Sequence, residues 1–175
     1  MSALSLVYAP NPIFRKTAVA VSIFDDNLVR LISEMFDVLY RENGVGVGAN
    51  MVGILQRIIV IDLQVDGRKE PVTMVNPEII RSSNETQIFT EASLSFPGIS
   101  AEISRPKEVT VKYQTDTGME QELTADGFFA TVIQHEIDYL NGRIFPDHLS
   151  RIKRASLLQK YNKKLRVAQT QPLKI

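Results

Sequence analysis

The run from Asp126 to Leu140 constrains this chain most, because it reads as one helix and carries an unusual polar cluster, Gln134-His135-Glu136-Ile137-Asp138-Tyr139. Residues four apart on a helix share a face, so His135 and Tyr139 point the same way with Glu136 beside them. The zinc-hydrolase pattern H-E-x-x-H uses this spacing to place two imidazoles on a metal and a carboxylate next to it as general base. Here the second imidazole position is a phenol. Any fold the chain adopts has to bring other segments against this helix face.

Those segments can be read along the chain. Residues 5–24 hold Pro10, Pro12 and scattered apolar residues, and suit an extended lead-in. Asp25 or Asp26 can cap a helix running to about Glu42. Its apolar stripe is Leu28, Leu31, Ile32, Met35, Phe36 and Leu39, and Asn43-Gly44 stops it. The glycines of Gly44-Val45-Gly46-Val47-Gly48-Ala49-Asn50-Met51-Val52-Gly53 permit sharp turns or close approach of a ligand. A dinucleotide loop is excluded, because the run follows a helix and lacks the G-x-G-x-x-G spacing. A Gly-rich strand or bulge is the expectation.

Strands are predicted over 54–63, 72–80, about 85–90 and 108–114, with a hairpin return over 119–124 after Asp116-Thr117-Gly118. A last helix begins near Leu149 with the seam Leu149, Ile152, Leu158, Tyr161 and Leu165. Helices at both ends with strands between them give an α+β class. At 175 residues, a single domain spanning 1–175 is expected, with 149–168 as a basic terminal helix.

Charge and composition narrow the function classes. The chain has no cysteine, hence no disulfide and no thiolate ligand. Met1-Ser2-Ala3-Leu4-Ser5 is not a basic segment followed by an apolar stretch, and no apolar run is long enough to span a bilayer. A soluble, cytoplasmic protein without membrane contact is expected. The net charge is zero, but no acid follows Asp147, while Arg151, Lys153, Arg154, Lys160, Lys163, Lys164, Arg166 and Lys174 do. That asymmetry invites an acidic partner.

Three segments occur in one order: Gly44-x-Gly46-x-Gly48-Ala49-x-Met51, Glu91-Ala92-Ser93-Leu94-Ser95, and Gln134-His135-Glu136-x-x-Tyr139. They resemble the three signature motifs of the peptide deformylases, which read G-x-G-x-A-A-x-Q, E-G-C-L-S and Q-H-E-x-D-H. The resemblance extends to Asn76-Pro77, Phe96-Pro97-Gly98, Ser104-Arg105-Pro106 and the helix after Asp147. It implies a deformylase-like fold with antiparallel strands packed around the motif helix. It also implies the chemistry of that family, removal of formyl from an N-terminal methionine on a divalent metal, usually iron or zinc.

The departures fall on the chemistry. The family's metal ligands correspond to Ser93, His135 and Tyr139, of which only His135 is a normal donor. The family's glutamine, which helps orient the formyl oxygen, corresponds to Met51. The general base is kept as Glu136, and Leu94 keeps the position after the lost cysteine. A hydroxyl is a poor substitute for a thiolate, and a phenol ligates well only after losing a proton near pH 10. No bound metal is therefore expected, and with none, no water is acidified for Glu136 to use. Gly44, Val45, Gly46, Phe128 and Val132 are the positions expected near a peptide-binding groove, where strand addition relies on backbone groups.

Three readings follow. A deformylase-like chain without metal-dependent turnover could still hold a nascent peptide that starts with methionine, or touch the ribosome through its basic C-terminal helix, as the resemblance suggests. A working deformylase would need Fe2+ or Zn2+ in an unusual shell. A metal-free hydrolase would use Ser93 as nucleophile and His135 as base; against it, no G-x-S-x-G surrounds Ser93, and Ser93, His135, Glu136 and Tyr139 are expected to hydrogen-bond one another. His148 is expected on a surface loop.

Overall fold

The structure, a computed structural model, describes residues 4–170, with side chains as far as 167. Residues 1–3 of the leader reading and Lys174 lie outside the described residues. Three helices, α1 (Asp26–Arg41), α2 (Gly127–Leu140) and α3 (Arg151–Thr170), surround seven strands. The strands are β1 (Gly46–Gly48), β2 (Ile58–Ile61), β3 (Val72–Ser82), β4 (Thr86–Ala92), β5 (Ser100–Pro106), β6 (Glu108–Gln114) and β7 (Glu120–Asp126). Five form an antiparallel sheet in the order β1-β2-β3-β6-β7, and β4 and β5 make a separate hairpin. This is an α+β fold in which α2 lies between the two sheets.

Local chemistry explains the elements. The Asp25 carboxylate accepts from the backbone N–H groups of Asn27 and Leu28, both at 3.1 Å, and so caps α1. Leu28, Ile32, Met35, Val38 and Leu39 of α1 are buried. Helix α2 has buried residues on almost every side, which is why it reads as the axis of the molecule. One apolar cluster lies between α1, β1, β2 and the aromatic rings Phe14, Phe96, Phe145, Tyr139 and Tyr161. A second lies between the five-stranded sheet and the other side of α2, through Ile59, Ile61, Met74, Val111, Ile133 and Ile137.

Several expectations shift at their edges. The strand expected over 54–63 narrows to Ile58–Ile61, because residues 55–57 turn aside to pair with Val19 of the lead-in. Asn76 adopts φ of 52° and breaks the ladder of β3. Its amide is spent on Val21 N–H and C=O, each at 2.8 Å, and on Gln114 at 2.7 Å. β5 is additional to the strands expected. In α3, Tyr161 is buried and Leu158 and Leu165 pack on the core, but Ile152 faces solvent at 83% exposure, so it is not part of the seam. Among the described residues no helix is long and apolar enough to cross a membrane.

Candidate functional site

The motif helix meets the end of β4, the turn after it, and β1. Gln134 ties α2 to the hairpin by donating to Pro106 O at 3.0 Å. The next residue, His135, is fixed by its Nδ1, which lies 2.7 Å from Glu91 Oε2. Glu91 is gripped by Arg105, with Nε 2.5 Å from Oε1 and Nη2 2.9 Å from Oε2. The third donor of Arg105, Nη1, reaches Asp138 Oδ2 at 2.7 Å, and His148 Nε2 lies 2.6 Å from the same oxygen. Five side chains thus form one chain, His135–Glu91–Arg105–Asp138–His148, and Glu91 and Arg105 within it are only 4% exposed.

That chain corrects two expectations. His148 is not a surface-loop histidine; it is largely buried and closes the network on Asp138. Nor do Ser93, His135, Glu136 and Tyr139 satisfy one another. His135 uses Glu91, while Glu136 Oε2 and Tyr139 Oη have no hydrogen-bond partner. Burial works against ionising Glu91, yet Arg105 and His135 hold its carboxyl below the usual range. Asp138 is likewise lowered, with His148 and Arg105 overcoming burial. Glu136 behaves oppositely, because burial pushes its carboxyl up and no cation bonds to it.

A cleft of about 600 Å³ opens beside this network. It brings together Gly44, Val45, Gly46, Met51, Ser93, Leu94, His135 and Glu136, all named from the sequence. It does not include Phe128, which is half-exposed and packs on Phe89 with centroids 5.4 Å apart, nor Val132, which is buried behind Gly46. The glycine at 46 is dictated by crowding. A Cβ there would stand 2.7 Å from Glu136 Oε1 and 3.0 Å from Val132 Cγ1. Leu6, Tyr8, Glu42, Asn43, Ala92 and Pro97 complete the walls, and of these Leu6 and Tyr8 lie outside every motif segment. The lead-in is drawn there by Val7 N–H bonding Met51 O at 2.8 Å and Ala9 N–H bonding Ser95 O at 2.9 Å, contacts with no local signal.

Tyr139 does not line the cleft. Its ring is fully buried, stacked on His135 with centroids 5.0 Å apart and edge-on to Phe14 at 5.7 Å. Burial drives its phenol far above the usual value and the nearby Ser93 hydroxyl offsets this only in part. No hydrogen bond of regular geometry forms between them. Ser93 Oγ instead accepts from Ser95 N–H at 3.2 Å, and no hydrogen bond joins Ser93 to His135.

Comparison with known proteins decides the family. The family model for polypeptide deformylase matches residues 3–155. The chain belongs to the polypeptide deformylase family. It is 51% identical over 162 residues to a peptide deformylase-like protein of Rickettsia conorii, covering 93% of this chain and 88% of that one. It is 40% identical over 167 residues to a peptide deformylase of Bartonella henselae, covering 95% of each. The crystal structure of a Legionella pneumophila peptide deformylase matches with a TM-score of 0.88 at 38% identity, over 98% of this chain and 100% of that one.

Against the metal expected of a deformylase, the donors here do not fit. His135 has only Nε2 left to offer. Ser93 supplies a neutral hydroxyl already bonded to backbone, and Tyr139 a buried phenol held in its protonated form. Among the described residues no three His, Cys, Asp or Glu side chains are grouped to hold a metal ion. A catalytic divalent site needs three such ligands and an open position.

Proposed function

We propose that this chain is a deformylase-like protein that has lost metal-dependent deformylation and keeps a cleft for the N-terminal end of a peptide. The observation that carries this reading is the fate of Tyr139. Its ring is enclosed in an aromatic core and burial keeps the phenol protonated, with the nearby Ser93 hydroxyl offsetting this only in part, so it is not a ligand in waiting. Without a metal, Glu136 has no acidified water to deprotonate.

The cleft of about 600 Å³ supports this reading. β1 ends the five-stranded sheet and, among the described residues, has a strand partner on one side only. Gly44, Val45 and Gly46 present that region to the cleft, and this supports strand addition by an extended peptide. The test is formate release from a formyl-methionyl peptide with added iron, zinc or nickel. The wild-type chain is expected to release none above background. Turnover comparable with that of a deformylase assayed alongside would overturn the reading.

A further inference from the structure

We infer that the cleft discriminates by the state of the peptide's N-terminus, and takes a free ammonium in preference to a formylated nitrogen. This rests on the reading of a retained, metal-free cleft. Glu136 lines the cleft, is 3% exposed, and leaves Oε2 without a hydrogen-bond partner. The Gly48 backbone and the charges of His135 and Arg105 do not overcome its burial, no described side chain forms an ion pair with it, and a ligand that brings a positive charge and further donors to the free oxygen is favoured. Among the described residues no lysine or arginine lines the cleft, whereas a second acid, Glu42, does. The one cleft-lining side chain that can become cationic, His135, is already committed to Glu91 at 2.7 Å.

An ammonium offers three N–H donors and a full positive charge, which suit a carboxylate with a free oxygen. A formylated nitrogen is neutral, with one N–H, and it brings an acceptor oxygen that must itself be satisfied. Met51, 1% exposed, has no N–H to give that oxygen. Glu136 adds two further acceptors. Glu136 Oε1 would stand 2.7 Å from a Cβ at Gly46, so the carboxylate abuts the segment along which a peptide would lie. The substitution at Met51 and the orphaned carboxylate therefore act in the same direction.

The test is calorimetry of the full chain with Met-Ala-Ala-amide and its formylated form at neutral pH. The free-amine peptide is expected to bind about tenfold tighter or more, the scale of a charge-assisted hydrogen bond in a buried site. Glu136→Gln is expected to erase most of that preference while the fold is retained by thermal melting. Met51→Gln, which restores an amide donor, is expected to tighten the formylated peptide selectively, and it stands as the second probe if the first variant misfolds. Equal or tighter binding of the formylated peptide to the wild type overturns the inference and leaves the retained cleft standing, and so does a preference that survives Glu136→Gln. Failure of both peptides to bind at millimolar concentration overturns the inference together with the retained cleft.

Discussion

Replacing Tyr139 with phenylalanine removes a single oxygen from the middle of the molecule. The residue is 0% exposed and Tyr139 Oη has no hydrogen-bond partner. A buried hydroxyl left unpaired costs about 1–3 kcal/mol relative to one in water. The ring contacts with His135 and Phe14 do not involve the oxygen and survive the change. The partial influence of Ser93 on the phenol and the small void left by the oxygen reduce the gain. The net expectation is that Tyr139→Phe stabilises the fold by about 0.5–2 kcal/mol. For a domain of this size that corresponds to a melting point raised by roughly 1–8 °C. Urea unfolding followed by far-ultraviolet circular dichroism gives the number directly, since the chain has no tryptophan. A loss of more than about 1 kcal/mol would refute the reasoning, because it would mean that the phenol is bonded or ligating.

The charged network and the Tyr40–Asp62 pair give two further expectations. Arg105→Met strands the Glu91 carboxylate in a buried site and is expected to cost about 3–5 kcal/mol at neutral pH. Because the folded Glu91 carboxyl lies below its ordinary 4.5, this contribution is present above that pH and fades on acidification, so wild type and variant should converge below it in urea unfolding. Tyr40 donates to Asp62 at 2.7 Å, and burial together with that carboxylate raises its phenol to about 12. Its stabilisation is complete below about pH 10 and is lost as the pH rises toward about 12, so the stability gap between wild type and Tyr40→Phe should narrow over that range.

What the sequence disclosed is what local rules govern. The cap at Asp25, the stop at Asn43-Gly44 and the turn at Gly118 are single-residue signals, and each stands where expected. The hairpin strand β5 escaped because Ala101, Ile103 and Arg105 share its inward face. A buried arginine at an inward position breaks the alternation by which a strand is recognised. Its purpose depends on Glu91 and Asp138, which lie 14 and 33 residues away, and no periodicity reports such pairing. The same holds for His148, which lies beyond the end of α2 and finds its partner Asp138 ten residues back on that helix, and for Leu6 and Tyr8, which reach the cleft by backbone bonds of the lead-in. The motif positions themselves were legible, because His135, Glu136, Ser93 and Met51 sit in segments whose order carries the family. That Tyr139 would turn into the aromatic core and leave the cleft needed Phe14, 125 positions earlier in the chain.

The most direct measurement is the metal content of the full chain, purified under anaerobic conditions, equilibrated with excess iron or zinc and then freed of unbound ion. With a hydroxyl and an enclosed phenol at two of three ligand positions, far less than one equivalent per chain is expected, and a Ser93→Cys/Tyr139→His variant is expected to hold more. One tightly held equivalent in the unmodified chain, lost on changing His135, would contradict the reading of Ser93, His135 and Tyr139 given above.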